Sequence, residues 1–406
     1  MRNNKYDFFL FIQVAVLCMG NIGGAFQVSR IIAIILFPQL LIDIGKTNYK
    51  YAKFFMNVFL MFYLYILLSF FWTPDREAAV KQLVYYPVHF MLFLELIVFS
   101  KNATHPLKSI SRGWLVSVLL CSAVAYWEIT TGNHLDIAYQ HDDTFYTGTE
   151  ILQHMSASVT FFNYNSYVTF LCFSFPWIFF ILLDKNRSFI EKSISFLALV
   201  ATVLTIVINA SRGGVLTVAV MLFIYILFSK KFQWESIMLI LGIIAVGYYM
   251  VNSGDFVTAV LAARLSNEGM GAEESRFYIW SNVLSMFANT GGFGVGVGGL
   301  HAAMRQNTYS SITASHNMFL EILSQYGVVI TITIFLFFCN LLKQSFSKER
   351  NRKIVLLMTL LTIPIYTIID SVYLVSAHLY AHIATIYVFS NYELIRHSNP
   401  ILRNIA

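Results

Sequence analysis

The sequence predicts an all-α protein: a polytopic helical membrane protein of about twelve transmembrane helices, forming a single domain over residues 1–406 with a large loop on its outer side. Three observations predict it. Of the 406 residues, 57% are hydrophobic and only 12% charged, where an ordinary soluble domain carries about 25% charged residues. The apolar residues gather into repeated runs of the length needed to cross the hydrocarbon core, about 20 residues. Lipid offers backbone N–H and C=O groups no partner, so each run must satisfy its own and folds as a helix. The third observation is that Lys and Arg are divided unevenly among the segments that join the runs.

The N-terminus, MRNNKYDFFLFIQVAVLC, has the basic start and apolar core of a signal peptide, but no small-x-small cleavage site follows. The run 7–25 is therefore expected as a retained first helix. Further spans are expected at about 28–44, 53–72, 83–100, 112–129, 161–183, 194–209, 213–228, 236–252, 317–341, 354–374 and 376–392. Segments 1–6, 45–53, 101–112, 184–193, 229–235, 342–353 and 393–406 hold 20 of the 27 Lys and Arg residues. Cytoplasmic loops are the ones enriched in these residues, so these segments, and both termini with them, are expected inside. The long segment 253–316 and a shorter one at about 130–160 then face outward. The net charge of +6 follows from this topology, and no nucleic-acid partner is expected. Cys18, Cys121, Cys172 and Cys339 all lie in apolar runs, which supports neither a disulfide framework nor a metal site.

The outer basic residues stand out, because topology works against them there. They are Arg30, Arg76, Lys81, Arg212, Arg264, Arg276 and Arg305. An outer arginine can simply anchor to lipid headgroups, a reading that weighs most for Arg76 and Arg305. Arg212 sits in NASRGGV, at the turn between two spans, where glycine allows close approach to the backbone. Arg276, Trp280 and Val283 share a helical stripe in AEESRFYIWSNV.

The tenth span opens with Ser315-His316-Asn317. At the outer end of a helix the positive dipole lowers an imidazole pKa and keeps the ring neutral, which suits a base. His316 alone reads first as an interfacial residue bonded to a loop carbonyl; the neighbouring arginines and glycines turn the balance toward function. Glu321 in the same span, Asp370 near the outer end of the eleventh and Glu95 in the fourth are carboxylates where carboxylates are costly, and such residues are paired or functional. The run GGFGVGVGG at 291–299 reads either as a loop offering backbone N–H groups to a phosphate or sugar, or as a re-entrant connector. It lacks the context of a nucleotide site. The 130–160 loop carries His134, Asp136, His141, Asp142, Asp143 and His154. Their spacing fits a solvated polar loop better than a metal site, while Tyr139, Phe145 and Tyr146 suit carbohydrate contact.

Two outward arginines suit a pyrophosphate, whose oxygens guanidinium binds bidentately. A lipid-linked pyrophosphate would hold that group at headgroup level. Its departure from a sugar anomeric carbon needs positive charge, and a neutral His316 could take the proton of an incoming hydroxyl. No cofactor or metal is called for.

SRGG (211–214), ESRFYIW (274–280), the glycine run and SHNMFLEILSQYGVVI (315–330) together resemble the bacterial O-antigen ligase and O-antigen polymerase superfamily. FFNYNSYVTF (161–170) is similar to that family's Asn-containing start of a span, and the resemblance covers about 160–370. It implies a GT-C-like fold in the bacterial inner membrane with the active site at the periplasmic face. It implies that Arg212 and Arg276 hold the undecaprenyl pyrophosphate of the donor and that His316 is catalytic. Asn317, Glu321, Asp370 and Arg305 are the supporting candidates. The expected partners are the lipid bilayer, an undecaprenyl-pyrophosphate-linked oligosaccharide and an acceptor glycan, with a chain-length regulator protein as a further candidate. The preferred role is polymerase of O-antigen or related repeat units, moving the chain onto a lipid-linked repeat unit. The alternatives are a ligase, whose acceptor is lipid A-core, and, outside enzymes, a lipid-linked oligosaccharide flippase or transporter.

Overall fold

The computed structural model describes residues 4–46, 50–137, 156–209, 211–229, 272–307, 313–371 and 373–397. These residues contain α-helices and short 3-10 turns and no strand, so the all-α expectation holds. The helices are α1 (Asn4–Ala15), α2 (Val28–Lys46), α3 (Lys50–Ser69), α4 (Arg76–Asn102) and α5 (Pro106–Thr131). They continue with α6 (Tyr164–Leu183), α7 (Phe189–Ile208), α8 (Arg212–Phe228), α9 (Ala272–Ala288) and α10 (Leu300–Asn307). The last four are α11 (Met318–Ser345), α12 (Arg350–Tyr366), α13 (Ala377–Ser390) and α14 (Tyr392–His397). Seven of them, α2 to α7 and α11, are long and apolar enough to cross a membrane, and α8 is apolar but shorter. The molecule is a polytopic helical membrane protein. Eleven of the twelve expected spans coincide with a helix, and the twelfth, 236–252, lies outside the described residues.

Helix α6 is the centre. It is apolar all round and 89% buried, as a helix walled in by other helices should be. Phe170, Phe173 and Trp177 are fully enclosed in it, and it packs against α5, α7, α8, α12 and α13. Around α6 the rings of Phe173, Trp177, Tyr366 and His382 interlock. The Trp177 indole donates to His382 Nδ1 at 3.1 Å, and the Tyr366 hydroxyl meets Nε2 at 3.2 Å. Trp N–H is a donor only, so Nδ1 is the acceptor and the ring is held in one tautomer. This ties down the C-terminus of α12, which the site uses. Helix α3, by contrast, is 22% buried and turns Phe54, Leu60, Met61, Leu64 and Leu68 outward, the side chains of a lipid-facing surface.

The two ends of the bundle differ in chemistry. At one end, ion pairs join neighbouring helices: Arg112 and Arg187 both hold Glu191, Arg187 also holds Asp184, and Arg352 holds Glu393. Asp7 there accepts from the Thr104 and His105 N–H groups and the Ser109 hydroxyl. This end carries the segments expected to be cytoplasmic. The opposite end gathers the glycine-rich turns, the start of α4 and the start of α11.

Three expectations need correction. The first span is no continuous helix to residue 25: α1 ends at Ala15, and a 3-10 turn leads into Gly20, Gly23 and Gly24, all with positive φ. A Cβ on Gly20 would lie 2.5 Å from the Thr160 carbonyl oxygen, so this turn exists to let the 156–163 segment close over it. The eleventh span stops at Tyr366, two residues past Pro364, which leaves Asp370 in the following connection rather than in the helix. The outer segment is no plain loop where it is described, because α9 and α10 form a helical pair joined by the glycine run. Ile279, Val283 and Met286 bury against Leu300, Ala303 and Met304, and Leu320 of α11 closes this small core.

Candidate functional site

The site is built on the start of α11. Asn317 is its N-cap, and its side chain accepts from the Phe319 and Leu320 N–H groups at 3.0 and 3.2 Å, satisfying two of the donors a helix start leaves open. Met318 N–H donates to the Thr367 carbonyl at 3.1 Å, which docks the helix start on the end of α12. On the other side the Trp280 indole donates to the Ser315 carbonyl at 2.9 Å. His316 is thus pinned between α9 and the 367–371 connection.

His316 precedes the cap and so lies outside the helix. Its φ is +44°, a left-handed conformation that costs a non-glycine residue of order 1–3 kcal/mol and persists only where the surroundings impose it. Its Nδ1 is buried and has no hydrogen-bond partner. Burial, then the Arg276 guanidinium, then His301 push its pKa down from 6.5 to about 4. The ring is therefore neutral, as the sequence suggests, but burial and a nearby cation are the causes and the helix dipole is not among them. His301 is also held neutral, by burial and by Arg305, and its Nδ1 pairs with the Thr313 hydroxyl at 2.9 Å.

The other expected residues divide into those at His316 and those behind it. Arg276 is half-buried on α9, on the stripe shared with Trp280 and Val283, and acts electrostatically on His316. Arg305 is exposed on α10 beside His301. Glu321 is buried in the first turn of α11, where its carboxylate accepts the Tyr373 N–H at 3.2 Å. Arg212 opens α8, exposed, with Ser211 as N-cap accepting from Gly214 N–H at 3.3 Å. The two glycines after it are filled by protein: a Cβ on Gly213 would meet Ile369 at 2.9 Å, and one on Gly214 would meet Val168 at 2.6 Å. Residues close in sequence to Arg212 and to His316 therefore both reach the 367–371 connection. Asp370 is buried there and held by the Ser166 and Asn163 side chains and the Ser371 N–H. It fixes the start of α6 to this connection and stands behind the site.

From Phe293 onward the glycine run has no N–H group to offer a ligand, because those groups are already taken. Phe293 donates to the Thr290 carbonyl, Gly294 to the Thr290 hydroxyl, Val295 to Ser324 O, Gly296 to Gln325 O, Val297 to the Ser69 hydroxyl and Gly298 to Gln325 Oε1, all at 2.7–3.2 Å. It is a structural clamp. Of the 130–160 loop, His134 and Asp136 are described, and His134 faces the buried Glu128 at 3.5 Å. His141, Asp142, Asp143, His154, Tyr139, Phe145 and Tyr146 lie outside the described residues, as does Arg264. Among the described residues no three His, Cys, Asp or Glu side chains gather as a metal group.

Sequence reasoning passed over Gln82 and Gln325, which with His301 and Glu321 line a cleft beside Ser315. The signal for them was weak: an amide near the outer end of α4 and another on the buried face of α11.

Residues 197–335 match the O-antigen ligase family model. That interval contains Arg212, Arg276, Arg305, His316, Asn317 and Glu321; Asn163 and Asp370 fall outside it. The resemblance read from the motifs is thereby borne out, over a shorter stretch than 160–370. The chain is also 25% identical over 288 residues to the teichuronic acid biosynthesis protein TuaE of Bacillus subtilis (strain 168), covering 68% of this chain. The chain spans 57% of the length of that relative. The O-antigen ligase match starts within α7 and ends within α11, so it encloses the whole arrangement of α8, α9, α10 and the His316 turn.

Proposed function

We propose that this protein is a glycosyltransferase of the bacterial inner membrane that transfers an undecaprenyl-pyrophosphate-linked glycan at the periplasmic face, acting as the polymerase of a surface polysaccharide. The observation that carries the reading is His316: a neutral imidazole in a strained backbone conformation, beside Arg276, at the outer start of a span. Groups held in this way cluster at functional sites.

In this mechanism the acceptor hydroxyl meets His316 at Nε2, so Nδ1 carries the neutral ring's hydrogen. The hydroxyl oxygen bonds to the donor's anomeric carbon as the bond from that carbon to the pyrophosphate oxygen breaks. The hydroxyl proton passes to His316, and the electron pair leaves with the pyrophosphate. Arg276 and Arg212 hold the pyrophosphate and take up the charge that develops on it. Glu321, Asn317 and Asp370 support the turn that carries His316, and Arg305 keeps His301 neutral. The chemistry asks for no metal, since the histidine accepts the proton and the arginines balance the charge. The outward active site and cytoplasmic termini are read from the Lys and Arg distribution, and the inner-membrane setting is what the family resemblance implies.

A second reading, ligase, is favoured by the family description of residues 197–335. The acceptor would then be lipid A-core; a chain-length regulator would be a partner only of the polymerase. The name of the Bacillus subtilis relative, a teichuronic acid biosynthesis protein, supports polysaccharide synthesis for either role. A transporter fits less well. Transporters place substrate sites at broken helices near the midplane, and the break inside α11, at Gly327, is filled by the protein's own glycine run.

The test is transfer by the purified protein in nanodiscs with a lipid-linked repeat unit, offered alone and with lipid A-core. A product ladder from the repeat unit alone supports polymerase, and product only with lipid A-core supports ligase. Absence of transfer in both by the folded protein overturns the enzyme reading.

A further inference from the structure

We propose that the cleft lined by Gln82, His301, Glu321 and Gln325 is the acceptor subsite, and that it takes the hydroxyl groups of an uncharged sugar. The inference rests on the reading of His316 as the group that meets the acceptor hydroxyl.

The cleft lies between the start of α4, the Gly298–His301 segment and the first turns of α11, with Ser315 and Ser371 on its rim. Its side chains are held from behind so that their hydrogen-bonding groups face inward. Gln325 is 3% exposed, and its Oε1 is occupied by the Gly298 N–H at 3.0 Å. Gln325 lines the cleft, and with Oε1 engaged its amide nitrogen is the group left to donate to a ligand oxygen there. Gln82 is oriented the same way. The hydroxyls of Tyr86 and Tyr326 lie 2.5 Å apart and both approach Gln82 Oε1, at 3.4 and 3.3 Å. One hydroxyl donates to the other and the pair donates to the amide oxygen, which leaves the Gln82 nitrogen as a donor to the cleft. Glu321 brings a carboxylate acceptor. His301, neutral and with Nδ1 engaged by Thr313, adds one ring nitrogen.

Two amide donors, a carboxylate acceptor and a neutral imidazole match adjacent sugar hydroxyls, each of which donates and accepts. The same set disfavours an anionic group. Among the described residues no Lys or Arg lines the cleft to hold a uronate or phosphate. Arg276, which acts on His316, and Arg305, which acts on His301, are not part of its lining. The charge distribution therefore separates two ligands around one histidine: pyrophosphate toward the arginines, a neutral sugar toward the amides.

The test uses the full-length protein in nanodiscs and two probes: undecaprenyl pyrophosphate, and the repeat-unit oligosaccharide released by mild acid from the cell's lipid-linked pool. Binding is measured for the parent protein and for Gln82→Leu, Gln82→Trp and Arg276→Ala. Losing one hydrogen bond of ordinary strength should weaken oligosaccharide binding about tenfold in Gln82→Leu, while filling the cleft in Gln82→Trp abolishes it. Both should bind undecaprenyl pyrophosphate as the parent does, which also shows that they are folded, and Arg276→Ala should show the reverse pattern. Unchanged oligosaccharide binding in both Gln82 variants, or equal loss of both probes, overturns the subsite. Oligosaccharides ending in a uronic acid should bind at least tenfold more weakly than neutral ones; the opposite preference overturns the charge argument. The parent reading is tested separately by transfer: if His316→Ala still transfers glycan, that reading fails whatever the binding data show.

Discussion

At the scale of the residue, the function turns on how one imidazole is kept neutral. A free histidine near pKa 6.5 is partly protonated in mildly acidic surroundings; His316, held down to about 4, is not. The sign follows directly: the base form persists until the pH falls through the folded value. The acid limb of the transfer rate should therefore lie near pH 4 rather than 6.5, read from kcat across pH 3.5–8. The same shift makes stability fall as pH drops from about 6.5 toward 4, because the unfolded chain takes up a proton that the folded one refuses. Arg276 is one of the causes, so Arg276→Gln should move the acid limb of its residual activity upward, whereas Arg276→Lys keeps the charge and the limb. The lysine variant should still lose donor affinity, about tenfold in KM, because an ammonium cannot match the bidentate fork. His316→Ala should abolish transfer while leaving membrane insertion intact, checked by assay of protein of normal yield and melting temperature. Full activity in that variant would remove His316 from the chemistry.

At the scale of the element, the glycine run and the break in α11 are one device. Gly327 has φ +80° and ψ −178°, a region open essentially to glycine alone. In an unbroken helix the Ser324 carbonyl would accept the Val328 N–H. Here Val328 donates to Gly292 O at 3.0 Å, and Ser324 O accepts the Val295 N–H at 2.7 Å instead. The run thus replaces the bonds that the break removes, which is what permits irregular backbone inside a membrane protein. Gly327→Ala places a Cβ 2.8 Å from the Phe293 backbone as well as forcing the backbone out of its region. It should cost at least about 2 kcal/mol, of the order of the backbone strain alone, and lower Tm in detergent clearly. Gly24→Ala is the control: its φ is also positive, at +57°, but no atom lies within 4 Å of the added carbon, so it should cost no more than about 1–2 kcal/mol. None of this was legible in the sequence beyond the glycines themselves, because the partners of the run are set by the fold: Ser69 lies more than 200 residues away. The left-handed backbone at His316 is likewise imposed from outside, by Trp280 and Thr367. Arg276, Trp280 and Val283 were legible as a stripe, since helical spacing is local. Pro364 was a local signal for the end of α12 that the apolar pattern overrode.

At the scale of the whole molecule, the spans were readable because length and hydropathy decide them with no help from packing, whereas the orientation rests on the Lys and Arg distribution alone. What the sequence could not convey is that the outward segment folds back into a helical pair and roofs the start of α11. The structure sets the ion-paired end and the site end on opposite ends of the bundle, and this makes the orientation testable with two exposed positions. Arg305 on α10 lies at the site end, and Ser347, just after α11, at the ion-paired end; both are exposed. In a background without native cysteines, Arg305→Cys should react with a membrane-impermeant maleimide added to spheroplasts, and Ser347→Cys should react only once the membrane is opened. The reverse pattern would place His316 in the cytoplasm, where nucleotide-activated sugars are available and a lipid-pyrophosphate donor is not required. Labelling of both from outside would mean that α11 does not span. The expected pattern leaves His316, Arg276 and the amide-lined cleft on the side where an activated lipid is the remaining source of energy for a glycosidic bond.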